Sequence, residues 1–189
     1  EQLFLNVEQI LPTKDTEDFA ISIATKAQEE IEVQESLKNR HHVRLKFWEQ
    51  FINASNQVNN LFSNNSPSKE SWIGKGIGMS GVNINLAMSN NYCRSEIIFN
   101  RGSQEENKEL FDFIYKMKDK IEADFGEPLI WERMDEKVTC RIKAQLDGVS
   151  YFEESDWKKM NEYLIDVSVR MEKAFKEPIK KLNNYWKNK

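Results

Sequence analysis

Six polar side chains on three predicted strands carry the clearest chemical potential in this sequence. Val82, Cys93 and Cys140 occupy the buried phase of these strands, so the alternating positions point to the opposite face of the sheet. The side chains expected on that face are Asn83, Asn85, Arg94, Arg141 and Lys143, with Tyr92 nearby. Amide, cationic and aromatic groups on one sheet can contact phosphates and stack on bases, as in single-strand binders. The pattern therefore predicts a nucleic-acid-binding face, with an ordinary solvated face as the alternative because Glu96 and Glu132 dilute the charge.

A second group of residues has the chemistry of a metal-dependent nuclease. Asp135 lies two positions before Lys137, and Glu132 and Asp124 lie upstream, so their oxygens could surround Mg²⁺. These acids fall on or near a predicted hairpin turn, where charged residues are common for local reasons. We therefore expect no metal site and no catalytic residue, and metal-dependent cleavage stays an alternative.

Two further patterns are weaker. Residues 76–81, GIGMSG, satisfy the G-x-G-x-x-G pattern of dinucleotide-binding loops, but that pattern needs a helix directly after it, whereas VNINLAM alternates as a strand. We interpret these glycines as a hairpin device and expect no cofactor. His41 and His42 are adjacent on a predicted helix and point about 100° apart, so they cannot easily share one metal ion.

The elements that would position these residues follow the order α-α-β-β-β-α-β-β-α. Apolar stripes at helical spacing predict the helices, and alternation of apolar and polar residues predicts the strands. The predicted elements are helices near 16–33 and 37–52, a loop over 53–71, three strands within 72–99, a helix from Ser103 to Gly126, a hairpin within 129–146 and a last helix from Ser155 that Pro178 disrupts. The fold class is therefore α+β, with an antiparallel sheet of about five strands and helices packed on one face.

The composition bounds the organisation and location of the protein. A chain of 189 residues fits one domain with an extension. We expect residues 1–34 to be an N-terminal extension or connector and residues 35–189 to form a single α+β domain. No run approaches the about 18 apolar residues that span a bilayer, so we expect no membrane contact. The opening EQLFLNVEQ lacks a signal-peptide pattern, and Cys93 and Cys140 suit buried free thiols, so the expected location is cytoplasmic.

Five segments together resemble the bacterial and archaeal family called domain of unknown function 4268. They are RLKFWEQFI, SWIGKGIGMSG, KIEADFGEPLIWER, DWKKMNEYL and AFKEPIKKL, and they cover roughly residues 35–182 in order. In many members this domain lies after an endonuclease-like domain of the PD-(D/E)xK type. The resemblance therefore implies an upstream nuclease-like domain, whose last strand would be residues 3–10 and whose connector would be residues 12–34. The family has no agreed activity, so the resemblance implies no catalytic residue.

Together these expectations describe a non-catalytic C-terminal accessory domain of a nuclease-like protein, which supports nucleic-acid engagement or assembly in a defence or repair setting. The expected partners are nucleic acid and the upstream nuclease-like domain, with a second copy of the chain as a further candidate. The first alternative is a protein–protein interaction or dimerisation module, in which the sheet face or the acidic first helix docks a partner. The second alternative is a cryptic metal-dependent nuclease.

Overall fold

The computed structural model describes the backbone of residues 14–189 and the side chains from residue 21 onward. The predicted strand at residues 3–10 lies outside the described residues. The chain divides into two compact units, residues 1–40 and residues 41–189. Helix α1 (Lys14–Val58) begins in the first unit, and every other described helix and strand belongs to the second.

The predicted α+β class, the five-stranded antiparallel sheet and the order of its elements are confirmed. The helices after α1 are α2 (Gln104–Tyr115), α3 (Lys118–Phe125) and α4 (Glu154–Lys187). The strands are β1 (Trp72–Met79), β2 (Val82–Met88), β3 (Tyr92–Phe99), β4 (Ile130–Glu132) and β5 (Cys140–Asp147). They lie in the order β1-β2-β3-β5-β4, and every neighbouring pair is antiparallel.

Helix boundaries differ from the sequence prediction at three places. The two predicted N-terminal helices are one helix, because no glycine or proline interrupts residues 34–36, and this helix continues six residues into the predicted loop. The helix predicted from Ser103 to Gly126 is α2 followed by α3, with Met117 between them at a φ of −106° and a ψ of 14°. The cap predictions hold, since Ser103 Oγ accepts from the Glu106 amide and Gly126 is left-handed at a φ of 98°.

The prediction that Pro178 disrupts the last helix is wrong. A proline in a helix interior removes one backbone hydrogen bond and costs about 3 kcal/mol. Here α4 continues through Pro178 to Lys187, and Pro178, Ile179 and Leu182 are all buried in the core. Burial of this apolar group offsets the lost hydrogen bond and keeps the last turns helical.

One face of the sheet forms the core. Helix α4 packs across β1, β2, β3 and β5, and α2 packs against β3 and β5. Ser95 Oγ of β3 donates to Met171 Sδ of α4 at 3.6 Å, which marks this as the helix-covered face. The predicted buried phase is confirmed, because Val82, Cys93 and Cys140 have no exposed surface and both cysteines are free thiols.

The C-terminal part of α1 completes the core of the second unit. Trp48 lies edge-on to Phe47 and to Phe51, with ring centroids 5.1 and 5.8 Å apart, and all three are fully buried. Trp48 Nε1 donates to the Glu70 carbonyl at 2.9 Å, which fixes the segment that leads into β1. None of the helices in the described part of the chain has an apolar stretch of the length that crossing a bilayer requires.

A candidate binding groove on the open sheet face

The face of the sheet opposite α2 and α4, here called the open face, carries polar residues in rows across the strands. The strand register aligns the rows, so that each contains one residue from β1, β2, β3 and β5 in turn. The rows are Trp72-Ala87-Arg94-Gln145, Gly74-Asn85-Glu96-Lys143 and Gly76-Asn83-Ile98-Arg141. With Tyr92 opposite Asp147, all six residues singled out in the sequence lie on this one face.

A groove of about 430 Å³ lies over the β1, β2 and β3 part of the open face. Four of the six sequence-predicted residues line it: Asn83, Asn85, Tyr92 and Arg94. Arg141 and Lys143 lie farther across the sheet, on β5, and do not line it. Trp72 of β1, which no sequence pattern singled out, also lines the groove. The alternation set by buried Ile73 would have placed Trp72 on this face.

Glycines of β1 make the groove possible. A Cβ atom added at Gly74 would lie 2.1 Å from Asn85 Oδ1, so the Asn85 carboxamide occupies the space that a side chain would fill. Asn85 is only 9% exposed, yet its carboxamide has no hydrogen-bond partner among the described residues. Trp72, at the end of the same strand, is 49% exposed. The groove therefore combines a free amide with an exposed ring.

The charged residues of the open face neutralise one another. Arg94 Nε lies 2.8 Å from Glu96 Oε2, as an ion pair without the alignment of a hydrogen bond. Arg141 Nη1 lies 3.7 Å from the same oxygen, and its Nε contacts Glu132. Lys143 Nζ lies 3.0 Å from Glu132 Oε1. Because each predicted cation faces a carboxylate, the open face is a compensated network rather than a cationic stripe.

The network holds Glu132 in its charged form. Burial alone would raise the pKa of Glu132, but hydrogen bonds from Arg141 and Lys143 outweigh it and keep the pKa below its usual 4.5. Arg94 is fixed on its other side by Tyr92, because Arg94 Nη1 donates to the Tyr92 hydroxyl at 3.1 Å and its guanidinium lies 5.2 Å from the ring centroid. Glu96 and Tyr92 therefore hold the Arg94 guanidinium at the groove.

The residues weighed for a nuclease site do not come together. Asp124 Oδ2 lies 2.7 Å from Lys120 Nζ at the end of α3, Glu132 belongs to the open-face network, and Asp135 pairs with Arg133. Across the described chain, no group of three or more His, Cys, Asp or Glu side chains is arranged to hold a metal ion.

Residues 76–81 form the end of β1 and its turn into β2. Gly78 and Gly81 take left-handed φ values of 91° and 78°, and a strand follows directly. The interpretation of this glycine motif as a hairpin device is confirmed.

Comparison with known proteins yields one match. The family model described as Domain of unknown function (DUF4268) matches residues 43–179, within the second unit. No curated protein and no solved structure matches the chain.

Proposed function

This chain belongs to the DUF4268 family of domains of unknown function, and we propose that it is a non-catalytic accessory domain that binds single-stranded nucleic acid in the groove on its open face. It would act beside a nuclease-like domain in a defence or repair setting. That association rests on the family resemblance of the five segments named above, and the binding role rests on the groove.

The observation that carries the binding role is the juxtaposition of rings, amides and a cation at one site. Trp72 and Tyr92 supply aromatic rings, Asn83 supplies an amide, and Arg94 supplies a cation along one groove. Its volume of about 430 Å³ lies within the range of roughly 300–1,000 Å³ typical of ligand sites. Stacking of a base on an aromatic side chain contributes about 1–3 kcal/mol and tolerates any sequence.

The ion-pair network decides how such binding depends on salt. Arg141 and Lys143 are paired with Glu132, and Arg94, the arginine that lines the groove, is paired with Glu96. Each phosphate contact to a single strand contributes a slope of about −0.7 to the logarithm of affinity against the logarithm of salt. A single contact, at Arg94, gives a shallow slope of about −0.7, so stacking and amide contacts carry most of the affinity.

The test is fluorescence anisotropy with a labelled single-stranded oligonucleotide of twelve nucleotides. We expect Trp72→Ala to weaken binding by about 5- to 150-fold, the equivalent of 1–3 kcal/mol. Phe152→Ala is the matched control, because Phe152 is 44% exposed and lies outside the groove. Absence of binding by the wild type, or equal losses in the two variants, would contradict the proposal.

A second candidate function is protein docking through α1. Ile21, Ile23, Ile31 and Val33 are each more than half exposed on this helix. Ile23 and Ile31 lie eight residues apart and share one helix face, which suits contact with a second copy of the chain. Light scattering should then show a mass that doubles with concentration, and Ile23→Ser with Ile31→Ser should abolish the increase. A constant monomer mass would exclude this candidate.

A further inference from the structure

The Asn85 carboxamide is a polar group of the groove that no side chain or backbone group of the described residues pairs. It is nine-tenths buried and has no hydrogen-bond partner within the described part of the chain. The fully buried side-chain atoms without a partner include Arg94 Nε and Glu96 Oε2 but no atom of Asn85, so the Asn85 amide keeps contact with the solvent in the groove. Asn85 lines the groove, where a bound molecule can reach it. A ligand with matching hydrogen-bonding groups would satisfy the carboxamide.

Strand β1 leaves space for this carboxamide beside the groove. Residue 74 is opposite Asn85 in the register, and any side chain there would meet Asn85 Oδ1 at 2.1 Å. Gly74 has no left-handed φ, so its backbone does not itself require glycine. The absence of a side chain at residue 74 therefore serves the position of the Asn85 amide rather than the path of β1.

The hydrogen-bonding pattern of the amide selects the ligand class. A carboxamide offers an acceptor oxygen beside a donor NH₂. Adenine presents the complementary donor and acceptor at N6 and N7, whereas guanine presents two acceptors, O6 and N7, on the same edge. A purine also offers a larger surface than a pyrimidine for stacking on the exposed ring of Trp72.

We infer that Asn85 reads the edge of an unpaired adenine base bound in this groove, with Trp72 stacked on the base. The inference rests on the proposed function and deepens it, because it assigns base preference to a site proposed to hold a single strand. The same chemistry is found in a free adenine nucleotide and in an adenine within a strand. The carboxamide donates from Nδ2 to N7 and accepts at Oδ1 from N6, so no covalent step is involved.

The test compares affinities for three twelve-nucleotide strands, oligo(dA), oligo(dT) and an abasic strand, together with free AMP. We expect the wild type to bind oligo(dA) about 5- to 150-fold more tightly than oligo(dT), the discrimination expected of a bidentate amide–base contact. Binding of AMP with the affinity of oligo(dA) would identify the free nucleotide as the source. Binding of the strand alone would identify a base within nucleic acid.

Two variants test the role of Asn85 by different routes. Asn85→Ala removes the amide, and Gly74→Ala displaces it while leaving Asn85 in the sequence. Both should abolish the preference for oligo(dA) over oligo(dT) while the circular dichroism spectrum stays native. The controls are Asn56→Ala, an exposed asparagine on α1, and Gly102→Ala, a glycine outside the groove. Both controls should keep the preference.

The outcomes separate this inference from the function on which it rests. Equal wild-type affinities for all three strands would overturn the reading of adenine and leave single-strand binding standing, as would a preference for another base. Failure to bind any strand or AMP would overturn both. Binding of AMP without any strand would support the adenine site and overturn the proposed function.

Discussion

Lys108 is the residue whose environment departs furthest from the usual for its type. Its ammonium is buried in the turn between β4 and β5 and donates to backbone carbonyls instead of to a carboxylate. The acceptors are the carbonyl oxygens of Arg133 at 2.7 Å, Met134 at 2.8 Å, Lys137 at 2.8 Å and Thr139 at 3.2 Å. The turn therefore folds around this one side chain, with Met134 in a left-handed conformation at a φ of 52°.

Replacing the ammonium should destabilise the protein strongly. Lys108→Met keeps the alkyl chain but leaves the carbonyls without their donor, so we expect a loss of about 3 kcal/mol, the upper end for charge-assisted hydrogen bonds. Urea unfolding measures the loss, and Lys116→Met is the control because Lys116 is an exposed lysine at the C-cap of the same helix. Equal midpoints for the two variants would show that the carbonyls find other partners.

Ionisation of Cys93 should lower the stability of the protein at alkaline pH. Burial raises the pKa of the Cys93 thiol from its usual 9.0 to about 12. The stabilisation from keeping this thiol neutral is therefore complete below pH 9 and is lost as pH rises from 9 to 12. Between pH 8 and about 10.5, the urea midpoint of the wild type should fall more steeply than that of Cys93→Ala. Parallel curves would contradict the raised pKa.

At the residue scale, local signals were predictable and distant partners were not. Ser103 and Gly126 make their capping hydrogen bonds to residues three or four positions away, so the sequence predicted both helix ends. Lys108 acts on carbonyls 25 to 31 residues away, and no spacing in the sequence marks that relationship. For the same reason the sequence could suggest Asn85 as a site residue but not its closeness to Gly74.

At the scale of elements, β1 is an edge strand whose free carbonyls are covered by side chains. Asn65 Nδ2 donates to the Gly74 carbonyl at 2.9 Å, and Asn183 Nδ2 donates to the Gly78 carbonyl at 3.0 Å. An uncovered edge can pair with the strand of another molecule and start aggregation. The two amides compete with such pairing at both ends of the strand.

Removing these amides should make the protein associate. We expect the double variant Asn65→Ala and Asn183→Ala to scatter more light on incubation at 37 °C than the wild type, because edge carbonyls become available. Asn64→Ala with Asn184→Ala is the control, since both residues are exposed neighbours in sequence. Matching scattering from the two double variants would show that the amides do not protect this edge.

Strand β4 controls the charge of the open face through Glu132. Glu132→Gln should release Lys143, whereas Arg141 keeps Glu96 at 3.7 Å, so a single strand bound on this face would gain one phosphate contact. The affinity for oligonucleotide should rise and the salt slope should steepen by about 0.7 for this contact. Anisotropy titrations at several salt concentrations give both quantities. An unchanged slope would place Lys143 outside the path of the strand.

The elements themselves were largely predictable because the sequences of β2, β3 and β5 alternate between core residues and mostly polar residues. Alternation therefore placed the six candidate residues on one face. The position of β5 between β3 and β4 was not predictable, because periodicity gives the phase of a strand and not its neighbours. Helix α4 passed through Pro178 because burial of the surrounding residues outweighed the local preference of proline.

At the scale of the molecule, residues 41–189 hold a core of their own. Its buried apolar residues run from Phe47 to Leu182, and the family match of 43–179 falls inside the same unit. The predicted domain boundary between residues 34 and 35 stays a prediction.

A chain restricted to residues 41–189 should therefore fold independently. We expect its urea midpoint and near-ultraviolet circular dichroism to match those of the full chain, because all the side chains described at residues 21–36 are exposed. A midpoint lower by more than the error of the measurement would show that the first unit contributes to stability. This experiment also decides whether the groove can be studied without the N-terminal segment.

Several backbone carbonyls converge on the Lys108 ammonium, an arrangement of oxygens like that which other protein loops offer to a bound metal cation. Here the cation is part of the polypeptide and arrives with it during synthesis. The turn therefore needs no bound metal ion to keep its shape, and dialysis or a chelator should leave it folded. Acetylation of this amine would remove the positive charge. The carbonyl oxygens of the folded turn would then have no cation to bind.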